Sequence, residues 1–142
     1  TEASHQNPDN SDIWFHLGQA QSHINETEKS KISFERSLEI SSNNSEALYA
    51  LGQTYKSLNQ KEKAKATLKK FKKISDFEKS KKTLLKQIVV QPTDHQLKEE
   101  LARLYESVGD FKSAAEVWQQ AAYFGDQNAQ LELERLKSKL NP

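Results

Sequence analysis

Side chains able to carry out catalysis or bind metal are few and widely spaced in this sequence. The 142-residue chain has no cysteine, which removes thiolate nucleophiles, thiolate metal sites and disulfides. Among its four histidines, His5, His16, His23 and His95, only His16 and His23 share roughly one helical face, and no third ligand accompanies them. The carboxylates are scattered, and no serine–histidine–acid pattern or glycine-rich phosphate loop is present. The sequence therefore predicts a protein that is not an enzyme and has no cofactor or metal.

Lysine is concentrated in one segment of the chain. From Lys56 to Lys86, twelve lysines stand against three acidic residues, a net charge of +9; the whole chain is +1, which leaves −8 for the remainder. Such a surface could attract an acidic protein, nucleic acid or an anionic surface. The segment has no arginine and its lysines point in several directions, so nucleic acid is disfavoured and a solvated helix face is favoured. The candidate basic surface consists of Lys69, Lys70, Lys72, Lys73, Lys81 and Lys82.

Helical periodicity covers most of the chain. Apolar residues recur at three- and four-residue spacing, and polar turns rich in Asn, Gly or Pro separate the segments. Ser11 or Asp12 is expected to cap the first helix, and Thr93 or Asp94 the helix after Pro92. The helices are predicted over about 11–24, 28–40, 45–58, 61–90, 94–108, 111–122 and 128–140.

The segment from Lys61 to Val90 is predicted to be one helix, about 45 Å long at 1.5 Å per residue. Neither Gly nor Pro, the strongest helix breakers, occurs between residues 52 and 92. Its apolar residues form two groups, with the polar stretch 78–83 between them. The alternative is a break at Ser75–Asp76, with Asp76 capping a separate helix.

Two stretches share one pattern at an offset of 34 residues, so that Gly18 and Phe34 recur as Gly52 and Leu68. In a third copy Ala102 follows Gly52 by 50 residues, which places 16 extra residues between copies two and three. A period of 34 with small residues inside apolar helical faces predicts a solenoid of helical hairpins. A hairpin of this kind cannot bury its apolar face alone and must stack on neighbours, which favours a binding scaffold.

These residues resemble the tetratricopeptide repeat family, in which large residues fill each hairpin and Gly or Ala lets neighbouring helices approach closely. Ser30 and Ser37 depart from the family pattern, which prefers Ala there. Phe71 also departs, because a small residue is usual at its position, and its ring is expected to help divert the long helix. The matching residues are Trp14-Phe15-His16-Leu17-Gly18 with Phe34 in copy one, Leu48-Tyr49-Ala50-Leu51-Gly52-Gln53-Thr54-Tyr55 with Ala64 in copy two, and Leu101-Ala102-Arg103-Leu104-Tyr105 with Gly109, Ala114, Trp118 and Ala121 in copy three.

The resemblance implies an all-α, right-handed α–α superhelix of about three hairpins, with one long irregular helix and a C-terminal capping helix. Pro8 stands where the family often has a proline between repeats, and the chain contains no Met, so the sequence resembles a piece excised from a longer protein. The segment 121–130 resembles the related Sel1-like repeats over a short stretch. The expected division is a single domain over 1–142, with repeats at about 11–44, 45–78 and 95–128, a helix extension at 79–94 and a capping helix at 128–140.

The resemblance also implies a peptide groove on the concave face, lined by exposed residues of the first helix of each hairpin. Phe15 and Tyr49 are the leading candidates because exposed aromatics anchor interfaces. They could instead be packing residues, and the whole set could be merely solvated. Binding of a C-terminal carboxylate by Lys, Asn and Arg is rejected, since Phe15, Gln19 and Ala50 hold the matching places. The candidate partner-binding residues are Phe15, Gln19, His23, Tyr49, Gln53, Lys56 and Arg103.

The predicted partner is a protein or a peptide, and no small-molecule substrate is expected. No apolar run approaches the roughly 20 residues needed to span a bilayer. A long helix with a polar middle could also exchange between protomers, which leaves self-association open.

Overall fold

A computed structural model describes residues 10–140, and every regular element in that range is an α-helix. The predicted all-α helical-repeat fold is confirmed. His5 and Pro8, and with Pro8 the expected end of a preceding repeat, lie outside the described residues. The seven helices are α1 (Ser11–His23), α2 (Thr27–Ile40), α3 (Ser45–Ser57), α4 (Lys61–Val90), α5 (His95–Ser107), α6 (Phe111–Tyr123) and α7 (Gln127–Leu140).

Helix α4 is continuous over 30 residues, so the predicted single helix is confirmed and the alternative break at Ser75–Asp76 is wrong. Its sequence contains no residue that would interrupt the backbone hydrogen bonds. Packing nevertheless divides the chain at this position into two compact units, one ending at Ser75 and one beginning at Asp76. We call them unit 1, which holds α1 to α3 and the start of α4, and unit 2, which holds the rest. The expected division into one domain with three repeats stays a prediction.

Short polar side chains cap the helices. Asn10 Oδ1 accepts a hydrogen bond from the backbone N–H of Asp12 at 2.9 Å, so Asn10 is the cap of α1 and the predicted Ser11 or Asp12 is wrong. Ser11 already lies inside the helix, and its hydroxyl is 3.0 Å from that of Ser37 in α2. Asp94, one of the two residues predicted for this role, caps α5, and the alternative Thr93 is wrong.

The turn inside each hairpin, and the turn before α7, has a middle residue with a positive φ angle. These residues are Asn25 (62°) and Asn59 (57°) in unit 1, and Gly109 (78°) and Gly125 (95°) in unit 2. Only glycine adopts this conformation without strain, and asparagine is the most tolerant of the other residues. Asn25 and Asn59 therefore take the left-handed conformation that often ends a helix, without a glycine.

The core of unit 1 depends on close helix contacts at two glycines. A Cβ atom on Gly18 would lie 2.6 Å from Cε1 of Phe34, and a Cβ on Gly52 would lie 2.6 Å from Cγ of Leu68. Both distances are far inside van der Waals contact, so the expected role of these small residues is confirmed. The buried cluster of this unit comprises Phe15, Phe34, Ala47, Leu51, Tyr55 and Ala64.

The two serines that depart from the family pattern are fully buried, and their hydroxyl groups are satisfied. Ser37 Oγ donates to the backbone oxygen of Ser11 at 2.9 Å, and Ser30 Oγ donates to that of Thr27 at 2.9 Å. A hydroxyl is therefore tolerated in place of a methyl group, because a buried donor with a partner costs little.

The core of unit 2 is built around Trp118, which is 0% exposed. Its indole Nε1 donates to a carboxylate oxygen of Glu106 at 3.3 Å, so the polar edge of the ring is paired. Helix α7 contributes Leu136, also 0% exposed, which supports the predicted capping role of this helix. The other buried members are Leu101, Ala102, Ala114, Ala115, Val117, Ala121 and Ala129.

Candidate functional site

In unit 1, helices α1 and α3 form the walls of a groove with a volume of about 360 Å³. Gln19 and His23 of α1 and Tyr49 and Gln53 of α3 line it. The 34-residue offset explains the pairing, since it places Gln19 and Gln53 at equivalent positions of stacked first helices. Four of the seven predicted partner-binding residues therefore meet in one place. The remaining lining residues are Ser22, Asn25, Thr27, Phe34, Ala50, Thr54 and Ser57.

A recess of about 410 Å³ adjoins the groove and shares Gln19 and Tyr49 with it. Tyr49 is 50% exposed, and its ring centre lies 5.3 Å from that of Phe71 at an angle of 52°. The two rings make one wall of the recess, with Phe15 and Glu46 among the other lining residues. The aromatic walls give this part of the site its apolar character.

Phe15 is a correction to the sequence-based site. It was expected to be an exposed aromatic, but only 6% of its surface is accessible. Its ring packs 5.9 Å from that of Phe34, across the close contact that Gly18 permits. Phe15 is therefore a packing residue, although part of it also lines the recess.

The side-chain amide of Gln19 is held in position by a neighbour on the same helix. Its Oε1 lies 3.0 Å from Nδ1 of His16, one turn away, and an amide oxygen can only accept, so Nδ1 carries the hydrogen. The amide nitrogen of Gln19, a residue that lines the groove, then remains available as a donor. Among the residues that line the groove and the recess, Glu46 is the single carboxylate and His23 the single imidazole, so the site is nearly neutral.

Lys56 and Arg103 are not part of this groove. Lys56 is exposed on α3 but does not line the cavity. Arg103 belongs to unit 2, where its Nη2 lies 3.7 Å from Glu132 and its guanidinium stacks 5.3 Å from the ring of Trp118. The guanidinium group of Arg103 is therefore paired with residues of unit 2.

The face of α5 that corresponds to the groove is occupied by charged contacts with α6 and α7. Arg135 of α7 donates to Glu106 at 2.6 Å and to Glu132 at 2.7 Å. Glu106 also accepts the indole hydrogen bond of Trp118. The carboxylates of this face are therefore satisfied within the unit.

Glu99 of α5 lies in the same face, at the position equivalent to Phe15 and Tyr49. Burial raises the pKa of its carboxyl group, and a hydrogen bond shared with Asp126 raises that pKa further. The amide of Asn128, which donates to Glu99 at 3.4 Å, acts in the opposite direction. The protonated form of Glu99 can donate to Asp126, which is itself buried at the start of α7.

The predicted basic surface follows α4 along much of its length. Lys69, Lys70, Lys72, Lys73 and Lys82 are exposed. Lys81 is half-buried, with its ammonium group 5.3 Å from the ring centre of Phe77. The side chains point around the helix rather than along one line, as expected from their spacing.

Sequence reasoning did not assign Phe71, Thr54, Asn25 and Thr27 to the site. Phe71 was recognisable in the sequence as an unusual residue, because its large ring replaces the small residue that the repeat pattern favours. Thr54 was not recognisable, since it is buried with its hydroxyl donating to the backbone of Ala50 at 2.8 Å. Within residues 10–140, no group of three or more potential ligands could hold a metal ion, and no helix is long and apolar enough to cross a bilayer.

Comparison with known families supports the repeat pattern in the first half of the chain. One family model described as "Tetratricopeptide repeat" matches residues 11–44, and a second with the same description matches residues 33–66. The first match has the bounds expected for copy one. No curated protein matches the sequence.

Several solved structures are similar to this chain. The crystal structure of MamA is 18% identical with a TM-score of 0.47, over 89% of this chain and 65% of that one, so the chain spans less than two thirds of its length. YrrB, described as a TPR protein with an unusual peptide-binding site, is 15% identical with a TM-score of 0.48, over 97% of this chain and 81% of that one. The Sgt2 TPR domain from Aspergillus fumigatus is 21% identical with a TM-score of 0.41, over 92% and 78%.

Proposed function

We propose, on the basis that residues 11–66 belong to the tetratricopeptide repeat family, that the groove between α1 and α3 binds a peptide or an extended segment of a partner protein. The coarse function that this membership carries is that of a protein–protein interaction scaffold. The finer proposal is a non-catalytic peptide site on the face of α1 and α3. The observation that carries it is the convergence of Gln19, His23, Tyr49 and Gln53 on one open groove.

The two glutamines supply the polar contacts of the proposed site. Each amide can donate and accept at once, which matches the N–H and C=O groups of an extended peptide backbone. Gln19 is oriented by His16 at 3.0 Å, so part of the entropic cost of ordering it is already met in the free protein.

The recess beside the groove supplies the apolar contact. Tyr49 is half exposed and rests on Phe71, so it presents a fixed aromatic surface to the partner. Exposed aromatic residues of this kind often dominate the binding energy of an interface. We therefore assign the recess to an apolar or aromatic side chain of the bound segment.

The proposal is tested by screening a peptide library against the full chain and measuring the affinity of the best peptide for variants. Tyr49→Ala combined with Gln53→Ala is expected to weaken binding at least about tenfold, since two central contacts are lost. Lys56→Ala is the matched control on α3, because Lys56 is exposed and does not line the groove. Unchanged affinity in the double variant would mean that the groove is not the binding site.

A second candidate is electrostatic binding of an acidic partner, nucleic acid or an anionic surface by α4. The exposure of Lys69, Lys70, Lys73 and Lys82 favours it. It predicts affinity for heparin that falls steeply with salt, whereas a nearly neutral groove predicts a weak salt dependence. Absence of heparin binding at low salt would eliminate the second candidate and leave the first intact.

A further inference from the structure

In most of the chain, small residues on the second helix of a hairpin are covered by the helix before it. Ser30 and Ser37 of α2 are both 0% exposed, as are Ala114 and Ala121 of α6. Ala64, at the start of α4, is 2% exposed. In each case the first helix of the same hairpin, which is α1, α3 or α5, packs against these small residues and covers them.

The C-terminal part of α4 carries the same pattern, but no helix within residues 10–140 covers the equivalent positions. The turn 41–44 separates α2 from α3, and the turn 91–94 of equal length separates α4 from α5. When residues are counted back from these two turns, Ser80 corresponds to the buried Ser30 of α2, and Gln87 corresponds to the buried Ser37. Both are exposed, while Leu84 between them is half-buried against the core of unit 2.

The irregular repeat spacing explains this difference. Two full periods from Gly52 would reach residue 120, but the third copy places its equivalent residue, Ala102, 18 residues earlier. These 18 missing residues are close in number to a first helix such as α1, which has 13 residues, together with the turn that follows it. The chain therefore contains the second helix of an intermediate hairpin, fused into α4, without the first helix that would cover it.

The uncovered positions line two adjoining hollows, of about 370 and 290 Å³, which share Gln87. Val90, at one end, is 77% exposed although it is apolar. All lining residues belong to unit 2. The others are Lys79, Ser80, Thr83, Leu84, Lys86, Gln91, Leu97 and Glu100.

The hairpins whose second helix is covered by a first helix indicate the shape that a helix bound to the uncovered part of α4 must have. Gly18 faces Phe34 in unit 1, and Gly52 faces Leu68. Leu84 holds the corresponding position in the uncovered groove, so a helix entering it needs a Gly or Ala opposite this side chain.

Charge indicates the chemistry of the occupant. Lys79 and Lys86 line the groove, and Lys82 is exposed on the same stretch of α4. The carboxylate on the opposite side, Glu100, lies 3.5 Å from the amide nitrogen of Gln96, its partner on α5. The edge formed by α4 is therefore complementary to an acidic helix.

We infer that this groove binds an acidic amphipathic helix of a partner protein, which takes the place of the missing first helix. The mode is that of a helix laid into a groove, with apolar anchors facing inward and charges at the rim. The inference does not depend on the proposed peptide site, because its groove lies entirely in unit 2.

The test uses the full chain and two stapled helical peptides as probes. Both carry the apolar pattern Leu-x-x-Leu-Gly seen at residues 48–52, and one has four Glu on its flank while the other has four Lys. Fluorescence anisotropy is expected to show tighter binding of the acidic peptide by about tenfold or more. Failure of both peptides to bind at millimolar concentration, or equal affinity of the two, would overturn the inference.

Variants then locate the binding. Lys79→Glu with Lys86→Glu reverses the charge of the groove edge, and Lys69→Glu with Lys73→Glu is the matched control on the same helix. The first pair is expected to remove the preference for the acidic peptide and the control pair to retain most of it. Ser80→Trp, which fills the exposed groove, is expected to weaken binding about tenfold or more, whereas Tyr49→Ala in the other site leaves it unchanged.

Two results would contradict the inference. One is retention of binding in Ser80→Trp. The other is a dimer seen by light scattering that Ser80→Trp converts to monomer, because a second copy of the chain would then be the occupant.

Discussion

The same helical face has opposite characters in the two units. In unit 1 the first-helix positions hold Tyr49, Gln19 and Gln53, which line an open and nearly neutral groove. In unit 2 the equivalent positions hold Glu99 and Arg103, which are engaged by residues of α6 and α7. One repeat scaffold can therefore leave this face open or use it for contacts that stabilise the unit, and the side chains at a few positions decide which.

The contrast follows from the cost of leaving groups unpaired. Amides and a phenol ring at a half-exposed groove stay hydrated when no partner is bound, so they can be left free. The carboxylates of Glu106 and Glu132, whose side chains are only 15% and 16% exposed, lose hydration and need partners within the unit. Arg135 supplies such a partner, with hydrogen bonds of 2.6 Å to Glu106 and 2.7 Å to Glu132.

The largest difference between the units is expected for their central aromatic residues. Trp118→Ala should lower the free energy of unfolding by about 3–5 kcal/mol, because it empties the core of unit 2. Tyr49→Ala should cost about 1 kcal/mol or less, since half of its surface already faces solvent. Urea denaturation followed by circular dichroism measures both; equal costs would show that Tyr49 is structural.

A reciprocal exchange of small residues tests the helix contacts. Gly18→Ala is expected to cost about 1–2 kcal/mol, because the clash with the buried ring of Phe34 outweighs the helix propensity gained. In unit 2, Ala102 holds this position with 0% exposure, and Ala102→Gly should cost about 1 kcal/mol through lost propensity and packing. Calorimetry compares the two, and a stabilised Gly18→Ala protein would refute the close contact in unit 1.

A smaller effect is expected at a pair of positions that the repeat pattern makes equivalent. Glu106→Ala should cost about 1–2 kcal/mol, since it leaves the indole of Trp118 without its acceptor and removes one of the two carboxylate partners of Arg135. Lys56→Ala, 50 residues earlier on the open face, should stay within about 0.5 kcal/mol. If the two unfolding curves shift alike, the face of unit 2 is not held by these contacts.

The smallest expected effect is a pH dependence confined to unit 2. Because the pKa of Glu99 is raised in the folded state, the folded protein holds this proton more tightly than the unfolded chain. The associated stability is therefore present below the unfolded pKa of a glutamate and is lost as pH rises through the folded one. Glu99→Gln should flatten this decline in native-state hydrogen exchange of α5 and α7, and an unchanged slope would assign it to another group.

Much of the fold was readable from local patterns. The repeat offset, the polar turns and the absence of helix breakers from 61 to 90 predicted the helices and the unbroken α4. The cap of α1 was misplaced because Asn10, Ser11 and Asp12 are all good capping residues, and the choice depends on where the backbone turns. The departure at Phe71 was visible in sequence, but its contact with Tyr49 was not.

The candidate site was predicted less completely. Gln19, His23, Tyr49 and Gln53 were found because equivalent positions of stacked helices share a face. Phe15 shares that position with Tyr49 and yet is buried, because its ring packs against that of Phe34 in the neighbouring helix. Lys56 and Arg103 were assigned to the site by the same equivalence between repeats, but they do not line the groove.

The sequence by itself determined the helices, their order and the small residues at their contacts, because these depend on periodicity and on backbone preferences. Only the tertiary structure decided which face stays open, since exposure depends on what the other helices cover. The clearest case is α4, where Ser80 resembles the buried Ser30 in position but is exposed. Within residues 10–140 no helix covers Ser80, and the residues around Ser80 in sequence do not by themselves indicate this exposure.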